Sequence, residues 1–207
     1  MDQYQDTLED LMWQTINPKD LWILDKLIVS RHLNYRCGPT GIDVPEEGWY
    51  ITRPAVNAMG LGLGAEKVWL TKDTTHLPLG HFWCEWFTGR HFSVDYTNQN
   101  ISLIVEGFKP EDTLTKWSSW KKIDDFQAVE YILKYPKILE PFKHIEHINV
   151  EFIGSKLIEV HLRKNEDFDE GVTEFIPVWK GEDTTPPEGY TYKHYPDLNG
   201  REGAFIR

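Results

Sequence analysis

Arg53 ends a short apolar run, Trp49-Tyr50-Ile51-Thr52, and is followed at once by Pro54; glycines then recur at alternate positions, Gly60, Gly62 and Gly64. A cation beside such a loop is a means of holding an anion, because residues without a Cβ let successive backbone N–H groups converge on one point. The loop leads straight into a second strand-like segment, 67–70, with no helix after it. That separates it from phosphate loops that seat the anion at a helix N-terminus. Taken alone, the same residues also describe a glycine-rich hairpin. Residues 84–94 read C-E-W-F-T-G-R-H-F-S-V, so that Glu85, Trp86 and Phe87 precede a Thr-Gly-Arg turn and an alternating strand.

Strands are expected at 49–53, 67–71, 81–87, 91–96 and 103–108, with turn residues between them. Helices are expected over 7–14 and 19–33, the second with Leu21, Ile23, Leu24, Leu27 and Ile28 as its apolar face. A further helix is expected over 124–139, ending near Pro136. A hairpin turning at Gly154-Ser155 follows, N-V-E-F-I-G-S-K-L-I-E-V-H-L-R. The fold class is α+β: antiparallel sheets, a few helices, and a Gly-rich loop between two strands.

A chain of 207 residues with 40% hydrophobic and 14% aromatic residues can bury a core and suits one domain. The net charge of −11 argues against extended contact with nucleic acid or anionic membrane. No apolar run approaches the roughly 20 residues that span a bilayer. The two cysteines, Cys37 and Cys84, have no metal-ligand spacing and read as buried thiols in a reducing compartment. The acidic, polar N-terminus is not a signal peptide. A cytoplasmic protein is expected.

In the order of its motifs the chain resembles the ATP-grasp superfamily over residues 20–165. Those proteins share a strand, a Lys-Pro, a glycine-rich loop and a strand, then a hinge E-x-φ-φ-x-G-x-E-φ-S/T-V, which C-E-W-F-T-G-R-H-F-S-V matches at the aromatic pair, the glycine and the final F-S-V. Leu24-Asp25-Lys26-Leu27 looks like the D-K-L/F that opens the family's N-terminal helix. The hairpin looks like the one carrying the family's magnesium ligands. The resemblance implies an ATP-binding protein that uses Mg²⁺, or Mn²⁺, as an ATP-dependent carboxylate–amine or carboxylate–thiol ligase acting through an acylphosphate. Lys26 and Arg53 would neutralise the α/β-phosphates as the catalytic cations. Asn57, Gly60, Gly62 and Gly64 would cover the β/γ-phosphates. Glu85 and Phe87 would hold the adenine edge by their backbone, with Trp86 between them and His91 on the ribose. Glu151, Glu159 and His161 would hold the metal, since Mg²⁺ takes hard oxygen ligands and bridges nucleotide phosphates. A solvent-facing hairpin with acids on its polar face is the alternative for that segment.

The departures bear on the same sites. Arg53 stands where the family has lysine, His91 where it has a ribose-gripping glutamate, and His161 where it has asparagine; histidine suits Zn²⁺ or Mn²⁺ better than Mg²⁺. The arginine many ligases place before the first metal acid is missing, with His147 and Asn149 nearby instead. Only 25 residues precede Lys26, too few for the family's preceding α/β domain of roughly 100 residues. The expected organisation is one domain over 1–207: an N-terminal helix and connector (18–48), phosphate-loop and hinge strands (49–96), a helix and metal-binding hairpin (97–165), and a C-terminal extension (166–207). The acceptor would be a small molecule or a peptide, with a partner subunit, the tail or a second copy filling the missing domain's place. Two alternatives stand beside the ligase: a nucleotide-binding or interaction module without turnover, and a kinase of small molecules. Trp117 and Trp120 read either as a lid or as core packing under a loop, and His144 and His147 as a surface pair lacking a third ligand.

Overall fold

The computed structural model describes residues 8–56, 62–110, 113–124, 129, 132–168, 171–197 and 200–207. Two antiparallel sheets organise the chain. The smaller has four strands, β1 (Cys37–Pro39), β2 (Gly48–Pro54), β3 (Glu66–Leu70) and β4 (His81–Glu85), in the order β1-β4-β2-β3. The larger has eight: β5 (His91–Thr97), β6 (Asn100–Phe108), β7 (Ser119–Lys122), β8 (His147–Ile153), β9 (Lys156–His161), β10 (Glu174–Trp179), β11 (Thr191–His194) and β12 (Arg201–Ile206), in the order β11-β12-β10-β7-β6-β5-β8-β9. The fold class is α+β as expected.

Period-two alternation sets the faces of the large sheet. Phe92, Val94 and Tyr96 of β5, Ile148, Val150 and Phe152 of β8, and Leu157 and Val160 of β9 form the main core. Side chains of this size, fully buried, contribute about 1.5–3 kcal/mol each. The helices cover this face: α1 (Leu8–Thr15) through Met12, a 3₁₀ helix (Pro18–Leu24) through Ile23 and Leu24, and α2 (Lys26–His32) through Val29. On the opposite face the alternate residues are polar yet also buried, among them Ser93, Asp95, Asn149, Glu159 and His161. Asn149 Nδ2 donates to Ser93 Oγ at 2.7 Å and Asp95 Oδ1 at 2.8 Å, so part of this polar face is satisfied internally.

The expected helix over 19–33 is interrupted. Asp25 adopts an extended conformation (φ −86°, ψ 106°) and accepts a hydrogen bond from Ile28 N at 3.0 Å, which ends the 3₁₀ helix and caps α2. Lys26 is thereby the first residue of a new helix. Of the helix expected over 124–139, residues 125–128, 130 and 131 lie outside the described set; Pro136 precedes a 3₁₀ helix, Lys137–Phe142, rather than closing a helix. The 37–48 connector contains β1, paired with β4, in which Cys37 lies opposite Cys84. Both are free thiols; Cys84 is buried, and burial pushes it up to about 12, whereas Cys37 is only half-buried. Residues beyond 166 add β10 to β12 to the large sheet, with Phe175 opposite Trp120 of β7. No helix among the described residues is long and apolar enough to cross a membrane.

Candidate functional site

A cleft of about 130 Å³ lies between the two sheets. From the small sheet, β2 supplies Ile51, Arg53 and Pro54 and β4 supplies Cys84; Trp86 and Phe87 follow on the crossing segment. From the large sheet come His91 of β5, Glu151 and Ile153 of β8, and Ile158 and Glu159 of β9; Lys26 enters from α2. A register shift between Glu151 and Phe152 pairs Glu151 with Glu159 and Phe152 with Leu157. Ile158 is then the extra residue on β9, and both it and Glu159 reach the cleft.

Glu159 is the electrostatic centre. Its Oε1 lies 3.0 Å from Lys26 Nζ and its Oε2 3.9 Å from Arg53 Nη1, all three side chains being largely buried. Burial pushes the Glu159 carboxyl up, but the charges of Lys26, His161 and Arg53 outweigh it and hold the group down at about 2. Arg53 is fixed by donation from Nη2 to Ile158 O at 2.8 Å, while its buried Nε has no hydrogen-bond partner among the described residues. Lys26 is fixed by its backbone N–H on Ala55 O at 2.8 Å, just beyond β2. Two cations from distant parts of the chain therefore share one carboxylate beside open space.

His91 Nε2 lies 3.0 Å from Glu151 Oε2, and its buried Nδ1 has no partner among the described residues. Its ring meets Trp117 edge-on at 4.6 Å and Trp120 at 5.5 Å. Trp117 lines the cleft, and Trp117 and Trp120 pack together over Gly107, where any Cβ would fall 2.6 Å from Trp117. Trp117 is thus both a wall of the cleft and a packing residue, and Trp120 packs behind it.

Gly62 and Gly64 adopt φ of +65° and +74° in a turn at the cleft; a Cβ on Gly64 would come within 3.1 Å of Pro54 Cδ, so glycine is required by both conformation and space. Asn57 and Gly60 lie outside the described residues. Of the three hinge residues, Trp86 and Phe87 line the cleft but Glu85 does not. Its carboxylate faces Arg36 and its N–H donates to Arg36 O at 2.9 Å, so that backbone donor is already used. The hinge is tied down on its other side by Arg90, which donates from Nε and Nη2 to the two oxygens of Glu106 at 2.6 Å each.

His161 does not line the cleft. Its Nε2 lies 3.4 Å from Glu159 Oε1 and its Nδ1 3.4 Å from Glu9 Oε2, so both ring nitrogens face carboxylates. His144 and His147 are not brought together: one faces Asp20 and the other contacts Thr97 and Glu146. Three contributors escape sequence reasoning. Lys109, beyond β6, lines the cleft; burial lowers its pKa against the opposing charge of Glu151. Glu9 and Arg163 form a pair behind His161, with Arg163 Nε donating to Glu9 Oε2 at 2.5 Å. A lone lysine after a strand gives no spacing signal, but Arg163 closes the E-V-H-L-R run and shares the Glu159–His161 alternation.

No protein-family model matches the chain, and no curated protein matches it in sequence. Among solved structures, an L-amino acid ligase from Bacillus licheniformis matches with a TM-score of 0.52 and 8% identity, over 89% of this chain and 66% of that one. The ATP-grasp ligase PsnB, complexed with a minimal precursor, matches with a TM-score of 0.43 and 12% identity over 72% of this chain and 54% of its own. PsnB complexed with a phosphomimetic precursor variant, Mg and ADP gives 0.46 and 12%, over 72% and 52%. The chain spans about half to two thirds of the length of these structures. The fold is ATP-grasp-like.

Proposed function

We propose that the cleft binds ATP with Mg²⁺ and that the chain is an ATP-dependent carboxylate–amine or carboxylate–thiol ligase working through an acylphosphate. The observation that carries this reading is the pair of cations, Lys26 and Arg53, held by one buried carboxylate at a cleft between two antiparallel sheets. Lys26 and the unpartnered Nε of Arg53 would pair with the α/β-phosphates, a guanidinium being well shaped for that contact. Lys109 supplies a third positive charge in the same cleft. Trp86 and Phe87 would flank the base, and the unpartnered Nδ1 of His91 is free for a ribose hydroxyl. The turn containing Gly62 and Gly64 would shield the reacting phosphate from water.

Glu151 and Glu159 suit Mg²⁺. Both are cleft-lining carboxylates paired in register, and carboxylate oxygens are the hard ligands this ion takes. Mg²⁺ typically takes one or two carboxylates and completes its shell with phosphates and water. When bound, the ion would screen charge on the phosphates. The residues of the chain position the nucleotide and stabilise charge while an ionised acceptor acid attacks the γ-phosphorus, forming acylphosphate and ADP; an amine or thiol then displaces phosphate. The acceptor, small molecule or peptide, would enter from a surface completed by a partner subunit or by further chain.

One observation favours the module without turnover: Glu159 is already engaged by Lys26 and Arg53, and Glu151 by His91. Incubation with ATP, Mg²⁺, hydroxylamine and a panel of amino acids and acidic peptides separates the two. A ligase releases ADP and traps the acylphosphate as a hydroxamate. Nucleotide binding without ADP release under any acceptor would replace the ligase by the module.

A further inference from the structure

α1 lies against the edge of the large sheet that carries the cleft acids. Met12 anchors it in the main core, and Glu9, 8% exposed, points back at β9 and the segment after it. There its Oε2 accepts from Arg163 Nε at 2.5 Å and faces His161 Nδ1 at 3.4 Å. The other ring nitrogen of His161 faces Glu159 Oε1 at 3.4 Å, and that same oxygen is 3.0 Å from Lys26 Nζ. Opposite charges and an imidazole thus run without a break from Arg163 through Glu9, His161 and Glu159 to Lys26. All five side chains are largely buried, so each has little freedom to adopt another arrangement.

We infer that Glu9 is a positioning residue of the cleft: through His161 it fixes the orientation of Glu159. The inference rests on the nucleotide reading of the cleft and extends it to a helix that lines no part of the cleft. Outer partners that orient a ligating carboxylate typically govern metal affinity by tenfold or more. An imidazole held on one nitrogen by Glu9 presents the other to Glu159 at a fixed angle. Without Glu9 the ring turns, and the carboxylate follows.

The test compares wild type, Glu9→Gln, His161→Gln and the double variant, all as the full chain. At saturating ATP, the Mg²⁺ concentration giving half of the metal-dependent thermal shift rises about tenfold in Glu9→Gln. The shift given by ATP in EDTA is unchanged. In the His161→Gln background Glu9→Gln adds nothing further, because the two act as one unit. Had Glu9 only fastened α1 to Arg163, the melting temperature would fall while the Mg²⁺ midpoint stayed put in both backgrounds, and the inference would be overturned. A second readout needs no ligand. The Glu159 carboxyl ¹³C resonance, assigned by its loss in Glu159→Gln, moves in Glu9→Gln but not when Glu9→Gln is added to His161→Gln. If wild type ignores ATP altogether, the nucleotide reading fails, and this resonance still decides whether Glu9 positions Glu159; an unmoved resonance overturns it.

Discussion

Lys26→Met destabilises the protein by about 3–5 kcal/mol, because it leaves a buried carboxylate short of its nearest cation. In a chain of this size that is a fall in melting temperature on the order of 10 °C. Lys26 and Glu159 are only 6% and 8% exposed, and after the substitution the carboxylate keeps, among the described residues, only His161 Nε2 at 3.4 Å and Arg53 Nη1 at 3.9 Å. A second change, Glu159→Leu, recovers most of the loss, since an apolar pair of similar volume is often as stable as the ion pair it replaces. Urea denaturation of the single and double variants measures both. A loss under about 1 kcal/mol would place the pair in the class of solvated surface bridges. The same network sets an acid dependence. The Glu159 carboxyl is held at about 2 against an ordinary 4.5, so its pairing contributes fully above pH 4.5 and is lost as pH falls toward 2. Lys26→Met flattens the stability profile across that window.

Arg53→Met reduces ADP release by about 10²–10³-fold, the cost of removing one fixed donor aimed at developing charge. Its partners explain why the effect is confined to function. Glu159 keeps Lys26 at 3.0 Å, so no buried charge is stranded, and within the protein the guanidinium gives up its bond to Ile158 O, its longer pairing with Glu159 Oε2 at 3.9 Å and its contact over the Phe82 ring. Arg53→Lys restores part of the rate by replacing the charge without the planar fork. Steady-state ADP release at saturating Mg²⁺, with circular dichroism as the control for folding, checks both. Full activity in Arg53→Met would remove Arg53 from the phosphate site.

Much of the scaffold is legible in the chain because alternation is a local signal. The polar and apolar residues of β5 and β8 declare strands that are buried on both faces, and the Gly154-Ser155 pair places the hairpin turn. The break at Asp25 is less legible: an acid inside an apolar helical pattern is as compatible with a continuous helix as with a cap. The cleft divides in the same way. Arg53, Gly62, Trp86, Phe87, His91, Glu151 and Glu159 carry motif spacing and do come together. Glu85 carries it too, but its backbone N–H is spent on Arg36, a partner on a different segment. Lys109 and Glu9 carry no spacing at all. Glu9 meets Arg163 across 154 residues, and such a contact exists only once the large sheet has formed and α1 has packed at its edge.

The most direct test of the account is a melting curve with ATP and Mg²⁺, with ATP and EDTA, and with GTP as control. A ligand at 100 times its dissociation constant that binds only the folded state adds about 2.7 kcal/mol, a rise of several degrees. The rise is expected with ATP, depends on Mg²⁺, and is smaller with GTP. No rise with any nucleotide would contradict the proposed function and leave an ATP-grasp-like fold without its nucleotide.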